Sequence, residues 1–330
     1  MIALTPHGQK AATATLSFMP DSFDDSHAAV GHAPVLFSET LTLLAPALGP
    51  EKVFLDCTLG RGGHALAILP MIPGGTLIGC DLDAENLAFA RARLEPAAAL
   101  HHVRLITCHR SFVSAETALR EAGVPGAHAL LADLGFASTH VDNPARGFSF
   151  MQDGPLDMRL NTDQATTAAH LVSQLPENEL ADLIFQYGEE RLSRRIAKTI
   201  TEARRIEKIT TTSQLAALIR KAYGGAAGAS RIHPATRTFQ ALRIAVNGEL
   251  DSLAALLEAV PRLLAPGGRA GIISFHSLED RPVKQAFVAA KDAGWGDQIT
   301  RKPVEASDSE CAVNPRSRSA KLRVIEKKSK

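Results

Sequence analysis

The stretch that decides the fold is Val53-Phe54-Leu55-Asp56-Cys57-Thr58-Leu59-Gly60-Arg61-Gly62-Gly63-His64. Its apolar run ends in a glycine turn and leads into the helical pattern 65–69, which predicts a first strand, a tight loop and a helix N-terminus. Glycines at 60, 62 and 63 allow positive φ and a close approach to a ligand, and the start of a helix presents free N–H groups. The stretch therefore predicts a cradle for an anion or a carboxylate.

A second apolar run, residues 76–80, ends in Asp81, which lies nineteen residues after Gly62. A carboxylate at the tip of the second strand, about twenty residues past a glycine loop, is where α/β nucleotide sites hold two ribose hydroxyls. This spacing fits S-adenosylmethionine or a dinucleotide, because Gly60-x-Gly62-x-x-Ala65 also satisfies the looser dinucleotide fingerprint. A turn that merely joins a strand to a helix is the alternative interpretation.

Composition indicates an ordinary globular chain of 330 residues, 45% hydrophobic and 22% charged. That length allows one large core plus a smaller inserted or appended domain. Apolar runs are too short to cross a bilayer, and residues 1–30 contain Lys10 as their one Lys or Arg and lack the apolar block of a secretory signal. We expect a cytoplasmic protein, no membrane partner and a flexible N-terminal tail over 1–30.

Cysteine and histidine spacing indicates no metal site. Cys57, Cys80, Cys108 and Cys311 form no C-x-x-C pair, and three of them fall at the ends of predicted strands. Small buried residues of a reduced core are the simpler interpretation of these cysteines. The histidines form neither an H-x-x-x-H nor an H-E-x-x-H set, so we expect no metal.

Positive charge is concentrated in two segments although the net charge is only +1. Residues 191–243 contain twelve Lys or Arg against two acids, and residues 314–330 contain seven against one. Such asymmetry indicates a surface that faces a polyanion. The alternative for residues 191–208 is the solvated face of an amphipathic helix.

Strands and helices alternate through the first part of the chain. Strands are predicted at 76–80, 103–108 and 129–133 after the first one, with helices at 84–94 and 115–122 between them. This alternation predicts an α/β fold with a doubly wound parallel sheet. The regular pattern then stops for about a hundred residues.

Residues 141–232 are predicted to form a mostly helical insertion that binds substrate, with helices at 177–187, 191–205 and 213–223. Residues 31–140 and 233–330 form the predicted sheet core, where a long helix at 236–260 precedes a fifth strand at 270–275. Extended stretches around 299–304 and 322–325 can pair as an antiparallel hairpin at the sheet edge. This arrangement is typical of class I (Rossmann-like) methyltransferases, since a dehydrogenase needs a second βαβ half.

Seven sequence blocks carry a resemblance to one family. They are His32-x-Pro34-Val35-Leu36, Asp56-x-Thr58-x-Gly60-Arg61-Gly62-Gly63-His64, Arg146-Gly147-Phe148-Ser149-Phe150-Met151-x-Asp153-Gly154-Pro155-Leu156-Asp157-Met158-Arg159, Tyr187-Gly188-Glu189-Glu190-Arg191, His233-Pro234-Ala235-Thr236-Arg237-Thr238-Phe239-Gln240, Ser274-Phe275-His276-Ser277-Leu278-Glu279-Asp280-Arg281 and Asn314-Pro315-Arg316-x-Arg318-Ser319. From about residue 31 to 326 the chain resembles the bacterial 16S rRNA (cytosine-N4)-methyltransferase family, RsmH (formerly MraW).

The resemblance implies methyl transfer from S-adenosylmethionine to the N4 amine of a cytidine in the decoding region of 16S rRNA, in the small ribosomal subunit. Where the family usually has Ser-Ser-Pro-Gln, this chain has Ala137-Ser138-Thr139-His140, which leaves the role of His140 open. Carried over by position, the residues implied to bind the cofactor are Gly62, Gly63, His64, Asp81, Phe112, Asp133 and His140.

Methyl transfer to an amine depends on positioning more than on acid or base strength. Because the N4 lone pair of cytosine is delocalised into the ring, the site should contain acceptors for its N–H bonds. Asp133, at the end of the fourth strand, is the candidate catalytic acceptor. The alternative is a carboxylate that only binds cofactor or caps the next turn.

The target base must leave its stack to reach the methyl group, so an aromatic ring should lie near the crevice. Phe148 and Phe150 are the candidate stacking residues, and loop anchors are the alternative. His276 and Glu279 are candidate polar contacts to the base, although a structural role suits His276 as well. Residues predicted to bind phosphates are Arg191 to Lys208, Arg231, Arg237 and Arg316 to Arg323.

Three other functions are compatible with parts of this sequence. A methyltransferase that acts on another RNA, a protein or a small molecule would keep the sheet and the glycine loop. A nicotinamide-dependent oxidoreductase would keep only the glycine loop and Asp81. A non-catalytic RNA-binding assembly factor would keep the basic segments without needing Asp133.

Overall fold

One mixed sheet organises the computed structural model, which describes residues 34–224 and 233–329. Within these residues the strand order is β3-β2-β1-β4-β5-β8-β6, with β7 paired to β8. The strands are β1 (Val53–Asp56), β2 (Thr76–Asp81), β3 (Arg104–His109), β4 (Ala127–Asp133), β5 (Leu264–Ser274), β6 (Gly296–Gln298), β7 (Val304–Glu305) and β8 (Lys321–Lys327). The predicted tail 1–30, His32 and Arg231 lie outside the described residues.

The first five strands run parallel, which confirms the predicted doubly wound α/β sheet. Leu55 of β1 pairs with Ile78 of β2 and Leu130 of β4. β8 runs antiparallel to β5, where Ile272 pairs with Arg323, and β6 and β7 run antiparallel to β8. The predicted antiparallel pairing at this edge is confirmed. The stretch predicted around 299–304 is not one strand but is flanked by the two short strands β6 and β7, which both pair with β8.

Helices cover both faces of the sheet, and some of them pack around an apolar core of their own. None of those between residues 34 and 224 or between 233 and 329 is long and apolar enough to span a bilayer. They are α1 (Phe37–Leu44), α2 (Gly63–Ile68), α3 (Ala84–Leu100), α4 (Ala115–Glu121), α5 (Ser138–Asp142), α6 (Ala168–Gln174), α7 (Glu177–Gly188), α8 (Ser193–Arg204), α9 (Thr212–Tyr223), α10 (Thr236–Asn247), α11 (Glu249–Leu263), α12 (Ser277–Asp292) and α13 (Asp308–Val313).

Each face of the sheet has its own apolar core. Leu55 and Leu130 point to the cluster that contains α4, α11 and α12, and Phe54 and Leu131 point to the cluster of α2 and α3. Neighbouring residues of a strand face opposite sides, so a sheet covered on both sides needs continuous apolar runs. The cysteines Cys57, Cys80 and Cys108 are buried in the first cluster and are free thiols, as predicted.

A third apolar core belongs to the helical unit formed by α6 to α10. The prediction of a single helix over 236–260 was wrong, because Gly248 adopts a left-handed conformation (φ 58°) between α10 and α11. Phe239 and Leu242 of α10 pack into the helical core, whereas Leu253 of α11 packs on the sheet. The domain limit at residue 232 remains a prediction, and helical packing continues beyond it.

Two of the sequence blocks meet where α7 packs on α10. A Cβ atom added to Gly188 would lie 2.6 Å from the carbonyl oxygen of Arg237, so only glycine allows this approach of the two backbones. The side chain of Gln240 also donates a hydrogen bond to the carbonyl oxygen of Tyr187 (3.2 Å). The glycine therefore has a packing role.

We predict that Gly188→Ala lowers the free energy of unfolding by about 1–3 kcal/mol, because the added methyl overpacks against a backbone atom. Gly271→Ala in β5 is the matched control, since its added Cβ would meet neighbours only at 3.5 Å or more. Urea unfolding of both variants measures the difference. Equal stabilities would contradict the close approach of α7 and α10.

Candidate functional site

The glycine loop lies at the carboxyl edge of the parallel strands, between β1 and α2. Gly60 and Gly62 have positive φ values of 52° and 75°. The N–H of Gly60 donates to Asp81 Oδ2 (2.7 Å), and the N–H of Asp83 donates to Asp81 Oδ1 (2.8 Å). Asp81 therefore faces the loop, and burial raises the pKa of its carboxyl group. Its contact with a ribose stays a prediction.

The rest of the loop packs against residues 34–37. A Cβ on Gly63 would lie 2.5 Å from Pro34 Cγ. The His64 ring stacks on Phe37 with centroids 5.9 Å apart, and its Nε2 lies 3.2 Å from the carbonyl oxygen of Val35. Burial lowers the pKa of His64 to about 4, so the imidazole is neutral and Nε2 donates. His64 thus fixes the loop, and its predicted contact with a cofactor stays a prediction.

Asp83, which the sequence interpretation did not select, joins several parts of the site. Its Oδ1 accepts from the N–H groups of Glu85 (2.8 Å) and Asn86 (3.1 Å) and so caps α3. Its Oδ2 accepts from His140 Nε2 (2.7 Å) and Arg146 Nη1 (2.6 Å). The Asp83 side chain is only 4% exposed.

The charges of this buried cluster are well defined. Burial opposes ionisation of Asp83, but hydrogen bonds from His140 and Arg146 outweigh it and hold the Asp83 pKa well below its usual range. His140 Nδ1 accepts from the N–H of Ala137 (3.0 Å), so Nε2 carries the hydrogen donated to Asp83. His140 therefore donates to Asp83 at the position where this chain differs from the usual family motif.

The two predicted stacking aromatics lie in different surroundings. The half-buried Phe148 ring packs against the rings of His140 (5.1 Å) and Phe136 (5.5 Å), next to the Asp83 cluster. Phe150 lies on the other side of the loop, against His233 (4.5 Å) and Phe239 (4.9 Å) at the core of the helical unit. Stacking on a base stays a prediction for both residues.

Asp133 ends β4 directly beside the glycine loop. Its N–H donates to Thr58 Oγ1 (2.6 Å). Its Oδ1 is buried and has no hydrogen-bond partner among residues 34–224 and 233–329. Burial, together with the smaller effect of the neighbouring acids Asp56 and Glu279, raises the pKa of Asp133 to about 8. The free protein therefore presents a largely neutral carboxyl group here at pH 7.

The wall after β5 is built from polar residues that bind one another. Glu279 Oε2 accepts from the N–H of Phe275 (2.8 Å), and Glu279 Oε1 lies 3.3 Å from His276 Nε2. Burial raises the pKa of Glu279 to about 7. Burial and then the charge of Arg243 lower the pKa of His276 to about 4, so this imidazole is neutral.

Arg243 supplies the positive charge of this wall. Its guanidinium donates twice to Glu249 (2.9 and 2.8 Å), lies 3.4 Å from His276 Nε2 and stacks 4.6 Å from the ring centroid of Phe136. Ligand atoms of Glu249, His276 and Glu279 come within 4.8 Å of one another, the spacing of a metal site. The Arg243 guanidinium already pairs with the Glu249 carboxylate, so we do not assign a metal site to these three residues.

A cavity of about 400 Å³ opens between the glycine loop, the start of α3 and α5. Among the seven predicted cofactor residues only His140 lines it. Arg61, whose guanidinium lies 3.5 Å from the ring centroid of Phe89, forms part of its wall. The other lining residues are Asp83, Glu85, Asn86, Phe89, Thr139, Asp142, Asn143 and Arg146.

Phe112 begins a short 3₁₀ turn after β3 and is partly buried against the sheet core. Its proximity to a cofactor stays a prediction.

The predicted phosphate-binding cations separate into exposed and structural groups. Arg191 is exposed, and Arg237, also exposed, donates to the carbonyl oxygen of Glu189 (3.0 Å). Arg204 instead donates to two carbonyl oxygens at the end of α6, at 2.5 and 2.7 Å. Arg323 is buried and paired with Asp280 (2.6 Å), so its prediction as a phosphate ligand was wrong.

The sheet order, the antiparallel β8 and the glycine loop define the fold class of class I methyltransferases. The family model of the MraW methylase family matches residues 29–328. The chain belongs to this family, which confirms the resemblance found in the sequence blocks and excludes the oxidoreductase alternative.

Relatives named ribosomal RNA small subunit methyltransferase H cover most of the chain. The one from Sorangium cellulosum is 50% identical over 295 residues, which cover 88% of this chain and 89% of that protein. The one from Citrifermentans bemidjiense is 47% identical over 312 residues, covering 90% and 98%. The one from Acidobacterium capsulatum is 46% identical over 301 residues, again covering 90% and 98%.

Proposed function

We propose that this methylase transfers a methyl group from S-adenosylmethionine to the N4 amine of a cytidine in the decoding region of 16S rRNA. The observation that carries this proposal is the buried, unpartnered Oδ1 of Asp133 beside the glycine loop. The substrate class follows the names of the relatives, and the base follows the sequence motifs. The proposal includes the cytoplasm as the location of the reaction.

The residues of the loop fit such a cofactor. S-adenosylmethionine supplies, when bound, a methyl group on a positively charged sulfur. Asp133 would complement that charge, because its buried Oδ1 has no hydrogen-bond partner among residues 34–224 and 233–329. Asp81 would hold the ribose hydroxyls. The proposed set of cofactor residues is Gly62, Gly63, His64, Asp81, Phe112, Asp133 and His140.

Asp133 also suits the chemistry at the target amine. As a carboxylate it accepts an N–H bond of the N4 amine and increases the electron density on nitrogen. Its pKa of about 8 in the free protein lies close to the working pH, so the same group holds the proton released at N4. Positioning supplies the remaining rate enhancement.

The base would enter between the rings of Phe136 and Phe148 and the polar wall after β5. Phe148 is half-buried and packs on Phe136, which is 37% exposed, so this pair of rings keeps aromatic surface open to a base. We propose that Phe148 stacks on the extruded base, with Phe150 anchoring the loop in the helical unit. His276 would contact the base edge from the β5 side.

Exposed cations of the helical unit would bind the RNA backbone. Arg191, Arg195 and Lys198 lie on the exposed side of α8 and the turn before it, and Arg237 lies at the start of α10. Phosphate contacts of this type fix the register of the RNA without reading its sequence. The substrate partner is therefore the small-subunit RNA.

The first experiment incubates the protein and labelled S-adenosylmethionine with small ribosomal subunits from cells that lack the enzyme. We expect label in N4-methylcytidine or its 2′-O-methylated form after digestion of the RNA. Asp133→Ala should lose this label. Label in another nucleoside or in a ribosomal protein would contradict the proposed substrate, and transfer that survives in Asp133→Ala would contradict the proposed role of Asp133.

A second prediction concerns the cations of α8. We expect Lys198→Ala to weaken binding to small-subunit RNA and to reduce the slope of log Kd against log salt by about 0.7–0.9, the value for one lost phosphate contact. Lys291→Ala, an exposed lysine at the end of α12, is the matched control and should change neither quantity. Identical salt slopes for the two variants would show that Lys198 of α8 does not contact an RNA phosphate.

A further inference from the structure

We propose that the carboxyl groups of Asp56 and Asp133 act as a pair that distinguishes the cofactor from its product by charge. The pair releases a proton when the sulfonium of S-adenosylmethionine binds and retains it when the uncharged thioether S-adenosylhomocysteine binds. Asp56 thereby becomes a further specificity residue of the site. The inference rests on the proposed cofactor but not on the identity of the methylated base.

The two acids lie at the carboxyl ends of adjacent parallel strands. Asp56 ends β1, is 2% exposed and pairs in register with Leu131 of β4. Thr58 connects the two acids, since its N–H donates to Asp56 Oδ1 (3.1 Å) and its Oγ1 accepts from the N–H of Asp133 (2.6 Å). One threonine thus fixes both residues at the base of the glycine loop.

No cation neutralises either acid in residues 34–224 and 233–329. Neither Asp56 nor Asp133 belongs to an ion pair there, and Asp133 Oδ1 is both buried and without a partner. An uncompensated buried oxygen of this kind is costly unless the group is neutral or a cation arrives. The two carboxyl groups therefore form a site that favours binding of a cation.

The groups that face this pair are mainly acidic. Glu279 faces Asp133 from α12, and Asp81 acts on Asp56 from β2. His276 at the start of α12 is neutral, and Arg243 on α10 is already bound to Glu249. The remaining groups of the wall therefore do not supply a free positive charge.

Protonation of the free pair follows from this environment. Burial raises the pKa of Asp133 to about 8 and that of Asp56 to about 7, so the pair holds at least one proton at pH 7. A bound cation favours the carboxylate and lowers its pKa, which releases that proton to solvent. Affinity for a cation therefore rises with pH and becomes constant above about pH 8, where the free carboxyl group is already ionised.

A ligand whose sulfur is uncharged produces the opposite result at this pair. When the thioether sulfur takes the place of the sulfonium, the ionised carboxyl groups have no compensating charge on that sulfur, so the protonated pair is favoured and no proton leaves. Demethylation of the cofactor then removes the charge that held the pair ionised. The site binds the product less tightly relative to the cofactor as the pH rises.

Isothermal titration calorimetry of the full chain tests the inference, with S-adenosylmethionine and S-adenosylhomocysteine as separate ligands. Buffers of different ionisation enthalpy report the number of protons released between pH 6 and 8.5. We expect release of about one proton near pH 6.5 with S-adenosylmethionine, declining to zero above about pH 8, and a Kd that tightens by up to tenfold per pH unit below that value. S-adenosylhomocysteine should show neither effect.

Three variants locate the proton. In Asp133→Asn the pH dependence of S-adenosylmethionine binding should be confined to below about pH 7, because only Asp56 of the pair still titrates. In Asp56→Asn the pH above which the affinity for S-adenosylmethionine becomes constant should be lower, because removal of a like charge beside Asp133 lowers the pKa of Asp133. Asp182→Asn, at an exposed acid on α7, is the control and should behave as the wild-type protein. Near-UV circular dichroism confirms that each variant is folded.

Equal proton release with the two ligands in the wild-type protein would overturn the inference without reference to any variant. A pH dependence that still extends to about pH 8 in folded Asp133→Asn, or one whose upper limit does not move in Asp56→Asn, would also overturn it. RNA is absent from these titrations. If the methylated base is not cytidine, the proton release measured here is unaffected. If the expected proton release is not found, the labelling experiment still identifies the methylated nucleoside.

Discussion

The ionised carboxylate of Asp83 is the interaction on which the arrangement of the site depends. Asp83 lies two residues after Asp81 and caps α3, and it binds His140 of α5 and Arg146 of the following loop. Arg146 in turn donates to the carbonyl oxygens of Arg159 and Leu160 (2.9 and 3.1 Å). One buried charge thereby joins the proposed cofactor side to the loop that carries Phe148.

The acids of the site fall into two classes that perform different tasks. Asp83 is buried with two paired donors, which keeps it charged and makes it a fixed structural centre. Asp133 and Asp56 are buried, and no residue among 34–224 and 233–329 forms an ion pair with either of them. Burial raises their pKa values, which leaves them able to respond to a ligand. The fold thus places responsive groups on strand ends and the fixed charge on the connections between elements.

Sequence alone predicted the parts of this molecule that depend on local pattern. Apolar runs identified β1, β2 and β4, and the glycines identified the loop that Asp81 organises. The break at Gly248 was missed because 236–260 keeps one amphipathic pattern across two helices that pack on different cores. Asp83 was missed because its partner Arg146 lies 63 residues away, and only the fold brings the two together.

Hydrogen exchange of Asp83→Asn compared with the wild-type protein tests the central role of Asp83 most directly. Loss of this charge should increase amide exchange both at the start of α3 (84–87) and in the loop 144–160, because one carboxylate restrains both segments. Exchange in α7 and α10 should remain unchanged. An increase confined to α3, or no increase in either segment, would show that Asp83 does not couple the two sides of the site.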